Sequence, residues 1–455
     1  MSKALRASLL GIVIAILAIY IGGTFYAKHM ANQKVDNIIS ILTKNYSKTI
    51  QAIHYQSIDA NFFTLFNDDL AINGLSVQFT QQPDNPLHIA QVEITHYDQT
   101  QAGIPLEFTL RLKQVQFDSF KRILMAVAQR EDTTTYLSLL PIGINPAMNI
   151  SAVYEASSQS LNFKYSLSNQ GQTLLQSSLV LNQFIIKESL LNSPGDAFLT
   201  ALDSAAIVSG KDKLSYHNNL DQEGLVNTHG HIAQLLKDLG YKTTQLDISG
   251  TGDYNSDTQK SQFTLQVSLE NGGVLNQHVE YTYTKPRTMH NLVSFIRSGN
   301  YPSGTENDAK LAVFMVDYQD QSLVSRIINM IAQNAQQSPG DVTNMLVTSL
   351  TQTAAGENVP QFKTALQQFA NFINKPNRIT LIVHPAKPYS INAINTFITD
   401  RFKEETAFNK SLAKVDPADR LAQYQAHQQA RDAKLSKFLT QLGFSVLATP
   451  IQVTK

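Results

Sequence analysis

The chain has 455 residues, of which 43% are hydrophobic and only 16% are charged, and its 36 basic and 36 acidic side chains give a formal net charge of +0. A nucleic-acid partner is therefore disfavoured, because affinity for phosphate backbones depends on clustered Lys and Arg. The chain contains no cysteine, which excludes disulfides, thiolate metal sites, iron–sulfur clusters and thiol nucleophiles. At about 150 residues per domain, the length predicts two or three globular units.

The first predicted element is a transmembrane helix. No charged residue occurs from Ala7 to Ala27, and at about 1.5 Å per helical residue this stretch spans about 30 Å, the thickness of a bilayer's hydrocarbon core. The alternative is a cleaved secretory signal, which has a shorter apolar core and a small-residue cleavage site. The bulky residues from Thr24 to His29 favour an uncleaved anchor, so the lipid bilayer is the first predicted partner.

The orientation of this anchor is predicted from the segments on either side of it. Basic residues occur both before and after the helix, at Lys3, Arg6, Lys28, Lys34 and Lys44, so the positive-inside rule alone does not decide. The short head and the long, lightly charged, cysteine-free remainder favour a cytoplasmic N-terminus. We therefore expect a single-pass protein of the bacterial inner membrane, with the residues from about 28 onward in the periplasm.

Changes in the hydrophobic period predict an α+β fold with four regions. Residues 1–27 form the cytoplasmic head and the transmembrane anchor, and residues 28–140 form an amphipathic helix followed by a first antiparallel sheet. Residues 141–310 form a second antiparallel sheet, and residues 311–455 form a helix-rich region with one or two strands. The boundary at 140 is placed where proline and glycine residues interrupt the pattern.

The first region shows both helical and strand periods. A spacing of three to four residues predicts a helix whose apolar stripe packs on the first sheet, and that stripe comprises Val35, Ile38, Ile39, Leu42, Tyr46 and Ile50. Alternation with a period of two is typical of strands with one buried face, and it occurs at residues 70–79, 89–95 and 106–117. A short helix through Phe120 and Val127 is predicted to follow.

The second region contains predicted strands at residues 149–155, 160–168 and 174–184 and a weak internal echo. In this echo, Tyr154, Gln159 and Phe163 have counterparts in Tyr254, Gln259 and Phe263. Duplication and convergent hairpin chemistry account for it about equally well. A second recurrence, Ser193-Pro194-Gly195-Asp196 and Ser338-Pro339-Gly340-Asp341, places a serine cap and a first-turn proline before two helical patterns.

The C-terminal region is predicted to be mostly helical, with core-facing stripes at Leu323, Ile327, Ile331 and at Phe362, Leu366, Phe369, Ile373. A strand is predicted at 378–384, a helix at 391–415 and a final strand at 444–453. The helix between Asp416 and Gly443 has Gln428 and Arg431 in the middle of its apolar stripe. We therefore expect this last helix to dock at both ends and to leave its centre solvated.

Motif searches give no catalytic, cofactor-binding or metal-ligating residue, and no cofactor is predicted. Gly250-Thr251-Gly252 lacks the third glycine of a dinucleotide-binding loop, and no phosphate-binding loop occurs. His229-Gly230-His231, with His217, Asp221 and Glu223 near in sequence, is the closest approach to a metal site. A polar turn before a helix at 232–239 is the favoured interpretation, because no recognised ligand spacing completes the set.

Catalysis by paired carboxylates or a nucleophilic serine also lacks a sequence signal. Asp68-Asp69 and Glu404-Glu405 are interpreted as a solvated loop and a charged helix face. No G-x-S-x-G motif occurs. The chain is therefore predicted not to be an enzyme, although triads can converge from distant positions.

The order of these elements resembles the YdgA-like family of bacterial envelope proteins. The resemblance is carried by the anchor, the stretch from Ile53 to Phe63 and the sheet entry from Leu70 to Phe79. Asn61 stands where family members often have a glycine. The resemblance covers about the first quarter of the chain and extends to AsmA-like proteins, which begin comparably and are implicated in lipid traffic across the envelope.

Three functions are compatible with this sequence. The favoured one is a non-enzymatic scaffold or interaction protein, anchored in the inner membrane, whose partner is another envelope protein. The first alternative is a carrier of lipid-like ligands on a curved β-sheet, because half-buried strands can hold acyl chains. The second is an envelope hydrolase with a dispersed site near His217, His229 and His231.

Overall fold

The computed structural model describes most of the chain beyond the predicted anchor. The described residues are 27–44, 47, 50–60, 69–80, 82–101, 104–117, 147–169, 172–187, 194–221, 230–241, 243–290, 293, 308–412 and 415–449. The predicted transmembrane segment lies outside them except for Ala27, as do the predicted helix through Phe120 and the boundary at 140. Within the described residues, none of the helices combines the length and apolar content needed to cross a bilayer.

The chain divides into two compact units. Unit 1 comprises Met1–Asp212 and Arg287–Pro302, and unit 2 comprises Lys213–Pro286 and Ser303–Lys455. The predicted region 28–140 therefore lies in unit 1, the region 141–310 contributes to both units, and the region 311–455 lies in unit 2. The large antiparallel sheet with several helices confirms the predicted α+β class.

Among its described residues, unit 1 is a meander of antiparallel strands with helix α1 at its start and helix α2 after β8. Neighbouring strands are hydrogen-bonded in the order β1-β3-β4-β5-β6-β7-β8, and β2 pairs with β3. The elements are α1 (27–44), β1 Ile50–His54, β2 Ser57–Asp59, β3 Leu70–Phe79, β4 Gln82–Gln99, β5 Pro105–Phe117, β6 Ala147–Glu155, β7 Ser160–Asn169, β8 Gln172–Asn182 and α2 Pro194–Ser204, and β9 Ala206–Asp221 begins in this unit.

Helix α1 packs on the first sheet as predicted. Ala31 and Val35 are buried against Ile58 of β2, and Leu70 and Ile72 of β3 join the same cluster. The inclusion of Ile50 in the helical stripe was wrong, because the described helix ends at residue 44 and Ile50 begins β1. A β-branched residue suits a strand at this position.

Unit 2 combines the remaining strands with six helices among its described residues. The strand order is β10-β11-β12-β13-β14-β16, and β15 pairs with β13. The elements are α3 Gly230–Asp238, β10 Thr243–Asn255, β11 Lys260–Leu269, β12 Gly273–Tyr283, β13 Ala309–Asp320, α4 Leu323–Ala335, α5 Pro339–Gly356, α6 Pro360–Asn374, β14 Arg378–Val383, β15 Tyr389–Ser390, α7 Ile391–Leu412, α8 Pro417–Gln441 and β16 Phe444–Thr449.

The internal echo corresponds to two hairpins with the same local geometry. In the first, Gln159 has a positive φ of 51° and its carbonyl accepts the backbone N–H of Phe184 at 3.0 Å. Tyr154 packs edge-on against Phe184 with ring centroids 5.6 Å apart. The second hairpin, in unit 2, repeats each feature with Tyr254, Gln259 and Tyr283. The sequence echo therefore reflects a shared β-turn and a shared aromatic pair.

The predicted helices of the C-terminal region are confirmed, but two predicted core positions are wrong. Ser338 accepts the backbone N–H of Asp341 at 3.1 Å and caps α5 as predicted. In α4, the buried residues are Ile328 and Ala332, whereas Ile327 is exposed. Phe369 of α6 is exposed as well. In α4 the buried side is rotated by about one position from the predicted stripe, and Ile328 and Ala332 pack against Val342 of α5. In α6 the buried side chains Ala365 and Phe372 pack against Ile379 and Val446 of the sheet.

The turn between α8 and β16 requires glycine. Gly443 has φ +59°, a conformation that residues with a Cβ rarely adopt. A Cβ at this position would also collide with the carbonyl oxygen of His384. Gly443 thus ends α8, as predicted, and it directs the chain into β16 beside β14.

An ion pair between a buried aspartate and an exposed arginine joins β13 to β14 in unit 2. Asp317 is 5% exposed and accepts hydrogen bonds from Arg378 Nε at 2.6 Å and from Thr380 Oγ1 at 2.7 Å. Burial alone raises the pKa of Asp317, but the hydrogen bonds from Arg378 and Thr380 and the charge of Arg378 outweigh burial and hold the pKa below its ordinary value.

The substitution Asp317→Asn is expected to make unit 2 less stable at neutral pH. Because the folded pKa is lowered, the carboxylate stabilises the protein above the unfolded pKa of about 3.9 and loses this effect as the pH falls through the folded pKa. We expect a loss of about 1–2 kcal/mol at pH 7, reduced by the solvent exposure of Arg378. Urea unfolding should show this difference narrowing from pH 4 toward pH 2.

The exposed Asp257 offers a matched control for this measurement. Asp257→Asn is expected to leave the urea midpoint of the wild type unchanged at pH 7 and throughout the range from pH 4 to pH 2. A difference between Asp317→Asn and the wild type that stays constant across the acid range would contradict the assigned role of the carboxylate.

Candidate functional site

Helices α7 and α8 form a long antiparallel pair, here called the α7–α8 hairpin, whose base docks on the sheet of unit 2. Phe397 of α7 stacks on Phe438 of α8 with ring centroids 3.8 Å apart and an interplanar angle of 9°. Phe438 is buried in one cluster with Val359, Leu435, Leu439 and Leu442. The C-terminal half of α8 is therefore a core element.

Most of the rest of the α7–α8 hairpin is exposed. None of the residues of α7 is buried, and residues 419–426 of α8 are exposed throughout. Phe402 is 72% exposed and Leu421 is 67% exposed. The prediction that α8 docks at both ends was therefore wrong at its N-terminal end, where Leu421 does not enter a core.

Polar and aromatic contacts hold the two helices together beyond the base. Glu405 lies 3.4 Å from His427 Nε2 and 3.7 Å from Arg431 Nη1. The imidazole of His427 also stacks on Phe408, with ring centroids 3.7 Å apart. Glu404 pairs with Lys434 through both carboxylate oxygens, at 3.0 and 3.1 Å. The middle of the hairpin is thus joined by ion pairs where a coiled coil would have apolar contacts.

A groove with a volume of about 590 Å³ lies at the base of this hairpin, and we call it the hairpin groove. Its charged lining residues are Asp400, Arg401, Glu404, Arg431 and Lys434. Ser390, Asn392 and Thr396 add hydroxyl and amide groups, and Tyr389, Ala393 and Phe397 add an apolar surface. A concave site with an apolar surface and a few polar groups is typical of ligand and peptide pockets.

The cations of the hairpin groove differ in whether they contact a carboxylate. Lys434 is paired with Glu404, and Arg431 lies near Glu405 and Asp432. Among the residues that the structure describes, Arg401 has no hydrogen bond or ion pair. The Nε atom of Arg431 is buried and has no hydrogen-bond acceptor among those residues. The groove therefore contains two guanidinium groups with unused donor capacity.

The sequence candidate His217 is exposed and lies in a polar pair on the sheet of unit 2. Its Nδ1 lies 2.5 Å from Asp247 Oδ1, and Gln245 donates to the same carboxylate at 2.8 Å. Partial burial raises the pKa of Asp247, but the hydrogen bonds from Gln245 and His217 outweigh it and lower the pKa below its ordinary value. A His–Asp contact of this kind orients an imidazole.

The other members of the predicted histidine cluster lie outside the side chains that the structure describes. Glu223 and His229 lie outside the described residues, as do the side chains of Asp221 and His231. Where side chains are described, no group of three His, Asp or Glu residues could hold a metal ion.

The two predicted carboxylate pairs have different surroundings. Asp69 accepts the backbone N–H of His96 at 2.9 Å, and Asp68 lies outside the described residues. Glu404 lies on an exposed face, as expected, whereas Glu405 is turned toward α8 and is partly buried between His427 and Arg431. Neighbouring residues on a helix point about 100° apart, which accounts for the difference.

Sequence reasoning missed Arg401 and interpreted Arg431 only as a break in an apolar stripe. The only available signal was that Arg401 and Glu405 lie one turn apart on α7, opposite a stripe of α8 that changes from apolar to polar at Arg431. That signal suggests that charged residues of α7 and α8 face each other, but it does not show which of them lack an ion-pair partner.

Comparison with known proteins gives little functional information. A family described only as an uncharacterized protein matches residues 257–403. The match includes the groove residues from Tyr389 to Arg401 and ends before Arg431 and Lys434. No curated protein matches the chain.

The substitution Glu405→Gln is expected to loosen the distal part of the α7–α8 hairpin. It removes the charge that both His427 and Arg431 face, and partly exposed ion pairs of this kind contribute about 0.5–1 kcal/mol. Amide hydrogen exchange in the exposed halves of α7 and α8 should rise about two- to fivefold.

Glu404→Gln is the matched control for this measurement, because it removes a neighbouring but exposed pair with Lys434. It is expected to change exchange in the hairpin by less than twofold. Equal effects of the two substitutions would contradict the role assigned to Glu405.

Proposed function

We propose that this chain is an interaction protein of the bacterial envelope and that the α7–α8 hairpin is its partner-binding element. In this proposal the segment from Ala7 to Ala27 anchors the chain in the inner membrane and the rest lies in the periplasm. The partner is another envelope protein, with acidic groups that face the hairpin groove. The apolar, uncharged character of residues 7–27 supports the anchor.

The observation that carries this proposal is the exposure of large apolar side chains on the hairpin. Phe402 and Leu421 contribute nothing to a core, although helix surfaces of this kind are usually polar. Large exposed aromatic and aliphatic residues are typical anchors of protein interfaces, where they bury the most area per residue.

The hairpin is also suited to binding because it is held in one arrangement before a partner arrives. The Phe397–Phe438 stack fixes its base, and the contacts of Glu405 and His427 join the helices further out. Preorganised elements lose less conformational entropy on binding than flexible ones. The ion pairs thus support a function that a looser pair of helices would perform less well.

An unpaired positive charge in the groove supports an acidic partner. Lys434 is paired with Glu404, and Arg431 lies near Glu405 and Asp432, which leaves Arg401 as the groove cation without a carboxylate partner among the described residues. Complementary charge mainly sets specificity and the rate of association. A partner with acidic groups near its apolar contacts therefore fits this surface better than a basic one.

A second candidate, a lipid carrier, is favoured by one feature of the sheet in unit 2. Phe263, Val279 and Phe314 are directly opposed on one face of neighbouring strands. Phe263 remains 40% exposed. Such a face can accept an acyl chain, although half-buried faces of this kind also occur where a sheet only supports a core.

Site-specific photo-crosslinking in living cells tests the two candidates together. A photoreactive amino acid is placed at Phe402, Leu421 or Phe263 of the full chain, with the exposed Met345 of α5 as the control position. We expect Phe402 and Leu421 to form adducts with one envelope protein of acidic surface, while Met345 forms none.

Three results would count against the proposal. Adducts of Phe402 and Leu421 with a second copy of the chain alone would replace the heterologous partner by self-association. Adducts with cytosolic proteins would contradict the periplasmic placement. Lipid adducts at Phe263 without protein adducts at the hairpin would favour the lipid carrier.

A further inference from the structure

We propose that the hairpin groove binds a carboxylate side chain from an acidic segment of the partner, with Arg401 and Arg431 as the binding residues. This inference rests on the proposed function, because it specifies the chemistry by which the hairpin recognises its partner. Phe402 and Leu421 are not among the residues that line the groove, so the two proposals can be tested with different substitutions.

Arg401 is the first argument for an anionic ligand. Its guanidinium lines the groove and has no hydrogen bond or ion pair with any residue that the structure describes. Lys434, on the facing helix, is held by two contacts to Glu404. A guanidinium presents a planar set of donors that matches the two oxygens of a carboxylate. Arg401 is therefore the cation of the groove that is free to take a ligand.

Arg431 also lines the groove, and its guanidinium already faces carboxylates of the protein. Its Nη1 lies 3.7 Å from Glu405, and its Nε lies 3.5 Å from Asp432 Oδ1. The Nε atom is enclosed and makes no hydrogen bond among the described residues, so a ligand in the groove would meet the outer part of this guanidinium. Arg431 therefore adds positive charge to the groove, and Arg401 is the principal binding residue.

The rest of the groove favours a single carboxylate on an apolar segment. Arg401 is the one groove cation without a carboxylate partner among the described residues, and a single unpaired positive charge suits a carboxylate better than a doubly charged phosphate. Ser390, Asn392 and Thr396 can donate further hydrogen bonds, and Tyr389 and Phe397 offer an apolar surface beside them. A glutamate next to an aromatic residue in the partner has both properties.

Binding of synthetic peptides to the full chain in a non-ionic detergent tests this inference. The probe is the fluorescently labelled peptide Glu-Phe-Glu-Phe, compared by fluorescence anisotropy with Gln-Phe-Gln-Phe and with inorganic phosphate as a competitor. We expect the acidic peptide to bind the wild type at least tenfold more tightly than the amide peptide. Phosphate should compete weakly.

Two variants locate the binding site. Arg401→Gln should weaken binding of the acidic peptide about tenfold or more, with unchanged folding because Arg401 has no partner to lose. Ala393→Trp fills the groove without changing its charge and should weaken binding as well. Arg420→Gln, an exposed arginine of the same hairpin outside the groove, should bind like the wild type.

The outcomes separate this inference from the proposed function. Equal binding by wild type and Arg401→Gln, or equal affinity for the acidic and amide peptides, overturns the inference. Strong competition by phosphate overturns the choice of carboxylate. If peptide binding fails in this way but Phe402 and Leu421 still crosslink to an envelope protein, the proposed function stands. If Phe402 and Leu421 form no crosslinks but the acidic peptide binds tightly and depends on Arg401, only the proposed function is overturned.

Discussion

Phe397 and Phe438 stack at the point where α7 and α8 leave the sheet of unit 2, and this contact sets the position of every residue further out on the hairpin. Phe438 also packs with Leu435, Leu439 and Leu442. Aromatic pairs contribute about 0.5–1.5 kcal/mol beyond the area that they bury. Gly443 completes the arrangement, because only a residue without a Cβ fits the turn into β16. The hairpin groove lies directly beside this stack.

Docking at the base, more than the charges, determines the stability of the hairpin. Full burial of a Leu or Phe side chain contributes about 1.5–3 kcal/mol, whereas partly exposed ion pairs such as Glu405–Arg431 contribute about 1 kcal/mol or less. The ion pairs therefore fix the arrangement of the outer halves and do not by themselves hold them folded. Because the base supplies most of the stability, Phe402 and Leu421 in the outer halves do not need to be buried.

Much of the fold was predictable from sequence because its signals are local. Alternation along residues 70–79 and 106–117 identified β3 and β5, and the cap at Ser338 identified the start of α5. The errors arose where the same apolar spacing occurs at core positions and at exposed positions of one helix. Ile394, Phe397, Ile398 and Phe402 all follow the three- to four-residue spacing of an apolar helix face, but only Ile394 and Phe397 reach the core.

The candidate site was less predictable than the fold, because it depends on which charges find partners. Glu404 and Glu405 are adjacent in sequence, yet one is exposed and the other lies between His427 and Arg431. The free guanidinium of Arg401 follows from the packing of two helices, and no local pattern encodes it. The match to an uncharacterized family adds no chemistry to this picture.

We propose that Phe402 and Leu421 bind a partner and do not support the fold. The most direct measurement is the free energy of unfolding of unit 2 in the full chain, by urea titration, for Phe402→Ala, Leu421→Ala and Phe438→Ala. We expect the first two variants to stay within about 0.5 kcal/mol of the wild type and Phe438→Ala to lose about 3–5 kcal/mol. A loss at Phe402 or Leu421 comparable to that at Phe438 would show that these side chains belong to a core and would contradict this proposal.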